Sequence, residues 1–232
     1  QFGNIRDWKP SGLQGPFSDG EIFGLDPCAS NETLGVEDNG IKVNSIVNFS
    51  LHEDVWNPSK QAHRRTNSIF FIGNIVRGVS SHRKRVLDSL RNGGVDVIHR
   101  HMDCFLHENR NCICESAFGL NIPNMGFNSI NQRDTEIIGC QVPLLTIGKD
   151  YLNYILPNDL VTFYKDESNV VQKANEILEN MKEKNVMAYR LRKFFLEYHT
   201  YKNMAERIVK TAVEGCDFDM DYYKGLWYGK YY

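Results

Sequence analysis

The rhythm of hydrophobic and polar positions changes near residue 68. Before it, residues 1 to 66 are rich in Gly, Pro, Asn and Asp and carry few helical signals. One stretch there, Ile41 to Phe49 (IKVNSIVNF), predicts a strand. The run DVWNPSKQAHRR at 54 to 65 predicts a linker, because Asn57-Pro58 breaks any regular element. From Ser68 to Ile72 (SIFFI) an apolar run ends in Gly73, the pattern of a buried parallel strand. SHRKRVLDSLR, Ser81 to Arg91, follows as a helix that Gly93-Gly94 stops, and Val95 to Ile98 reads as a second strand.

The alternation continues through strands at Ala117 to Ile122, Val142 to Ile147 and Leu160 to Tyr164. Helices are expected at Ile130 to Ile138 and, briefly, at Tyr151 to Ile155. Val170, Val171, Ala174, Ile177, Leu178 and Met181 recur at helical spacing, a core-facing stripe. Two further helices are expected at about 185 to 198 and 201 to 212. Strands alternating with helices imply an α/β protein with a Rossmann-like parallel sheet covered on both faces. Ligands of such sheets bind beyond the carboxyl ends of the strands, which singles out loops 73 to 80, 99 to 112 and 122 to 131.

Composition narrows the classes. The 232 residues are 41% hydrophobic, and their formal net charge is −2 with pI about 6.4. A general nucleic-acid or membrane-surface binder is not indicated, and no apolar run is long enough to span a bilayer. The start, QFGNIRDWKP, shows no signal-peptide pattern. Six cysteines form no paired zinc set, so free thiols in a reducing, cytoplasmic setting are expected. The sequons at Asn31 and Asn48 leave a secretory location open. No Asp-x-Asp metal motif lies near the expected cleft, so no metal or other cofactor is expected.

Two segments could carry chemistry. Gly73 lets a backbone approach a ligand closely, and Arg77, Arg83, Lys84 and Arg85 crowd the loop and helix behind it. Cations in a first turn oppose the helix dipole, which points to a bound anion or else to a solvated basic face. In NSINQRDTEIIGCQVPLL, Ser129-Ile-Asn-Gln132 fits a capping box, so a helix is expected to start at Ser129, with Gly126 loosening the loop before it. Arg133 and Glu136 then share one face, either as a surface ion pair or as ligands. A carboxylate suits two ribose hydroxyls and a guanidinium suits a diphosphate. His99 and His101 lie at the same cleft edge.

The order FFIGN, RKRVLDSL, LNI, RDTEIIGC, VPLL and EYHTYKNMAERI resembles the nucleotide-sugar-binding half of GT-B glycosyltransferases over roughly residues 66 to 212. It is most similar to the bacterial spore-maturation CgeB-like group, with a fainter similarity to exostosin-type enzymes. The resemblance implies transfer of a sugar from a UDP- or GDP-sugar to a carbohydrate or glycoconjugate acceptor. It places Glu136 on the donor's ribose and Arg133 near its diphosphate, with Gly73, Arg77, Arg83, Asn128 and Ser129 as further donor contacts. The phrase His199-Thr200-Tyr201 is also typical of it.

Two departures matter. Ile138-Gly139-Cys140 stands where many members have Ala-Cys-Gly, and Leu144 stands where retaining enzymes carry a second glutamate, so inversion is expected. Inversion needs a base for the acceptor's proton, and Asp19 is the candidate, with Glu21, Asp26 and His52 as alternatives. The expected organisation is a reduced or partial acceptor-side region and linker at 1–65 and a donor domain at 66–212. An aromatic tail at 213–232 is packed back on the sheet or at a homodimer contact. A non-catalytic nucleotide-sugar or glycan-binding module of the same fold is the alternative.

Overall fold

The computed structural model describes residues 50–58, 66–75, 81–100, 106–123, 130–148 and 156–216, together with 222, 225 and 226. Ser68–Ile72 forms β1, and all five of its residues are buried, as its unbroken apolar run requires of a strand covered on both faces. Ser81–Asn92 is α1; Val86, Leu87 and Leu90 point inward, and the chain reverses at Gly94 with φ +79°, a conformation glycine adopts freely. Asp96–Arg100 is β2, exposed at both charged ends, as suits the edge of a sheet.

Leu106–Glu115 forms α2, which begins within the loop expected at 99 to 112 and runs beyond it. Its signal is weak because asparagine and cysteine are indifferent helix formers and few apolar residues mark its inner face. Phe118–Leu120 is β3, Gln132–Gly139 is α3, Leu144–Ile147 is β4 and Thr162–Tyr164 is β5. Val170–Glu179 (α4), Met181–Tyr198 (α5) and Tyr201–Glu214 (α6) complete the described elements. Helix α5 begins four residues before the expected start near 185, because the core-facing stripe carries through Met181.

The five strands are parallel in the order β2-β1-β3-β4-β5. Ile69 pairs with Val97 on one side and with Phe118 on the other, so β1 lies between β2 and β3. Chain direction across the sheet reverses at the β1/β3 boundary, the place where such sheets bind ligands. Helix α3 closes tightly over β3 there: a Cβ on Gly119 would lie 2.6 Å from Ile137 Cγ1. One continuous core unites the sheet with its helices and includes Leu51 and Trp56.

Of the linker expected over 54–65, residues 54–58 are described and form no helix or strand, yet segment 50–58 is fastened to the core. Leu51 makes a parallel bridge to Thr200; its N–H donates to the His199 carbonyl at 2.7 Å, and its carbonyl accepts from the Tyr201 N–H at 3.2 Å. Trp56 is buried against Gly139, whose added Cβ would meet the Trp56 carbonyl oxygen at 2.7 Å. The expected strand at Ile41 to Phe49, the short helix at Tyr151 to Ile155 and most of the aromatic tail lie outside the described residues; Tyr222 and Leu226 of the tail pack against the core.

Candidate functional site at the carboxyl edge of the sheet

The site is built where β1, β3, β4 and β5 end. Gly73 follows β1; its N–H donates to the Arg100 carbonyl at 3.1 Å, and its own carbonyl lies 2.8 Å from His99 Nε2. Phe71 and His99 face one another with ring centroids 5.5 Å apart. A Cβ on Gly73 would come within 3.3 Å of Arg83 Nη1, so the absence of a side chain makes room for that guanidinium.

The basic cluster of α1 divides by direction. Lys84 pairs with Asp88 and Arg85 with Glu167 on the surface, where such pairs contribute little to stability. Arg83 turns inward instead. Its Nε donates to the Ile122 carbonyl at 2.8 Å and its Nη1 to the Asn74 carbonyl at 3.3 Å. Its carbon Cζ stands 5.9 Å from the centre of the Phe71 ring, and His82 Nε2 reaches the Pro123 carbonyl at 2.6 Å. Burial lowers the Arg83 pKa; nearby Tyr164 opposes this, and the charge of Arg133 adds to it. Arg83, held at the end of β3, thus feels the like charge of Arg133 from a different helix, which an anion beside them would relieve.

Helix α3 begins later than Ser129. Its N-cap is Asn131: the Asn131 side-chain oxygen accepts from the Arg133 N–H at 2.8 Å, and Asp134 Oδ2 accepts from the Asn131 N–H at 3.1 Å. Asparagine is at least as good a cap as serine, and aspartate three residues later completes the reciprocal box. The cap satisfies the N–H groups of Asn131 and Arg133 within the protein.

Arg133 and Glu136 form an ion pair one turn apart, and both are largely buried, with side chains 18% and 4% exposed. This is not the surface pair that spacing alone allows. Burial raises the pKa of Glu136 against the pull of Arg133, and burial lowers that of Arg133 against Glu136 and Asp134. A buried pair has a large desolvation cost and stabilises a fold poorly compared with apolar side chains.

A polar cluster that sequence reading did not anticipate lies beneath the pair. Asp134 is fully buried, and Asn121 Nδ2 donates to its Oδ1 at 2.8 Å. The same Nδ2 reaches Thr146 Oγ1 at 3.2 Å, Asn131 Nδ2 donates to Asn121 Oδ1 at 3.1 Å, and the Tyr164 hydroxyl donates to the Asn121 carbonyl at 3.3 Å. Burial pushes the Asp134 carboxyl up to about 6, against hydrogen bonds from Asn131, Asn121 and Thr146 and the charge of Arg133. The one sequence signal for the cluster was Asn121 itself, a polar residue inside an apolar strand run.

Other residues prove structural. Cys140 caps α3, with its N–H on the Glu136 carbonyl, and burial pushes its thiol well up, which keeps it protonated and inert. His199 is buried between Phe194 and Phe195 with its pKa pushed down to about 3 by burial and by Arg207; Thr200 caps α6 through Asn203. Leu144 opens β4 and is buried, so no carboxylate stands there. His52 is exposed, edge-on to Tyr201 at 5.9 Å. Asp19, Glu21, Asp26, Arg77, His101, Gly126, Asn128 and Ser129 lie outside the described residues. Among the described residues no helix is long and apolar enough to cross a membrane.

Solved structures share the fold. The chain is similar to sucrose-phosphate synthase from Thermosynechococcus elongatus (TM-score 0.57, 8% identity), covering 79% of this chain and 56% of that one. It is also similar to S. aureus TarM in a complex that includes UDP (TM-score 0.55, 13% identity, 80% and 43% coverage). The pneumococcal O-GlcNAc transferase GtfA, solved with UDP and GlcNAc, matches at TM-score 0.54 and 13% identity, with 81% and 44% coverage. These neighbours are GT-B glycosyltransferases, and the chain spans about half of their length. No curated protein matches the chain in sequence. The family model described as "Glycosyl transferase-like" matches residues 76–210, more than half of the sequence. The chain therefore belongs to the glycosyl transferase-like family.

Proposed function

We propose that the carboxyl edge of this sheet is the donor site of a GT-B glycosyltransferase that takes a UDP- or GDP-sugar. The observation that carries this reading is the buried Arg133–Glu136 pair, with Arg83 turned inward onto the Ile122 carbonyl at the end of β3, beside the strand-order reversal. In it, the two guanidinium groups bind the diphosphate and stabilise it as leaving group, and Glu136 accepts hydrogen bonds from the ribose hydroxyls. Gly73 keeps the floor of the site open for Arg83, while Arg77, Asn128 and Ser129 complete the donor contacts. The donor diol competes with Arg133 for Glu136, so binding exchanges an internal ion pair for contacts to ligand.

The reaction is transfer with inversion to a carbohydrate or glycoconjugate acceptor. A base takes the acceptor hydroxyl's proton as its oxygen attacks the anomeric carbon and the nucleoside diphosphate departs. Asp19 is the proposed base, within an acceptor-side region at 1–65; residues 66–212 form the donor domain. The apolar Leu144 at the position of the second glutamate of retaining enzymes favours inversion. Cationic side chains at the diphosphate make metal-independent departure chemically reasonable. Calorimetric titration with UDP-sugars and GDP-sugars, beside Glu136→Gln, tests the reading: binding that the substitution weakens about tenfold or more, some 1.4 kcal/mol, supports it. Equal binding by both proteins removes Glu136 from the site.

A further inference from the structure

The buried polar cluster under the ion pair has no part in the chemistry just described, yet it connects to both arginines. Its centre, Asp134, accepts from the Asn131 N–H and from Asn121 Nδ2. Asn121 precedes Ile122, whose carbonyl holds Arg83 Nε, and the Asn121 carbonyl is held by the Tyr164 hydroxyl. Asn131 caps the turn that carries Arg133. An aspartate buried away from water is costly unless its hydrogen bonds recover the loss. A helix cap alone does not require one, since exposed caps serve equally well.

We propose that Asp134 is a positioning residue for the anion site: by clamping Asn121 and Asn131 together it fixes the end of β3 against the first turn of α3, and so sets the separation of Arg83 and Arg133. This rests on the donor-site reading above. A diphosphate diester spreads its two charges over two phosphorus centres, which two guanidinium groups at a set spacing match, whereas a monophosphate carries its charge on one centre that a single guanidinium can fork. Asp134 touches no ligand. It acts through Asn121 and Ile122 on Arg83, and through the α3 cap on Arg133.

The test is calorimetric titration of the full chain, Asp134→Ala, Asp134→Asn and Tyr164→Phe with UDP-glucose, GDP-mannose and the corresponding nucleoside monophosphates. Each titration is run well below that protein's melting temperature. Asp134→Ala is expected to weaken nucleotide-sugar binding more than tenfold while monophosphate binding falls much less. Asp134→Asn keeps one accepting oxygen and recovers part of the loss, and Tyr164→Phe weakens binding several-fold with the same bias toward the diphosphate. Lower melting temperatures with unchanged nucleotide-sugar affinity overturn the proposal, as does equal loss for both ligand classes. If the Asp134 variants do not fold, Tyr164→Phe decides alone by the same ratio. Failure of the unsubstituted chain to bind any nucleotide sugar overturns the donor-site reading and this inference with it; binding that the variants share overturns this inference only.

Discussion

Arg83 of α1 donates from Nε to the carbonyl oxygen of Ile122, 2.8 Å away, and so ties the first helix to the end of β3. The contact explains why a cation sits in a first helical turn against the dipole: the Ile122 and Asn74 carbonyls are its partners. Arg83→Lys keeps the charge but cannot span the Ile122 and Asn74 carbonyls together. It is expected to cost about 1 kcal/mol of stability and to weaken nucleotide-sugar binding about tenfold. Urea unfolding and titration read the two effects separately, and undiminished affinity would place the anion elsewhere.

The Arg133–Glu136 pair separates stability from binding. Glu136→Ala leaves a buried guanidinium without its partner and is expected to destabilise by about 3 kcal/mol or more. Replacing both residues, Arg133→Met with Glu136→Leu, removes both desolvation costs and is expected to be close to neutral. The double variant should nevertheless bind no nucleotide sugar. A stable double variant that still binds would show that the pair serves packing alone.

Two buried titrating groups impose opposite pH dependences. His199 is held neutral, with its pKa near 3 against an ordinary value of 6.5, so the unfolded chain takes up a proton that the folded one refuses. Its contribution is present above about pH 6.5 and is lost as pH falls toward 3. Asp134, raised from 3.8 to about 6, contributes stability below pH 4 that is lost as pH rises through 6. Between pH 4 and 6 the two partly cancel. Asp134→Asn removes one side of the balance, so its unfolding free energy should climb with pH more steeply than that of the unsubstituted chain. Parallel urea profiles from pH 4.5 to 7.5 would rule that assignment out.

At Gly139, helix α3 closely approaches the segment at 50–58. A Cβ there would lie 2.5 Å from Leu51 Cδ1 and 2.7 Å from the Trp56 carbonyl oxygen, and Arg192 Nε donates to the Gly139 carbonyl at 2.9 Å. Gly139→Ala is expected to destabilise by about 2 kcal/mol, read by urea unfolding, because backbone cannot yield as a side chain would. The packing accounts for the glycine at 139: it stands where Trp56 packs. A fully stable Gly139→Ala protein would contradict this packing.

The parallel sheet was legible because its strands are short apolar runs, such as Ser68–Ile72, and because Gly93-Gly94 punctuates the first crossover. Arg133 and Glu136 were legible from i,i+3 spacing, although spacing could not say that they are buried. Helix α2 was hidden by residues of weak propensity whose helicity depends on burying Asn109, Ile113 and Cys114. The start of α3 was misplaced because two capping boxes overlap in Ser129 to Asp134, and choosing between them depends on whether Gln132 or Asp134 turns inward; Asp134 is buried and Gln132 exposed. Asp134, Asn121, Thr146 and Tyr164 meet only when three strands end side by side, which no local pattern encodes.

The central claim is that Arg83, Arg133 and Glu136 hold a nucleotide sugar. Calorimetric titration of the full chain with UDP-glucose and GDP-mannose, repeated with the Arg133→Met, Glu136→Leu double variant, tests it most directly. The account predicts saturable binding of one of these donors by the unsubstituted chain and none by the folded double variant. Equal binding by the two proteins, or none by either, would contradict it.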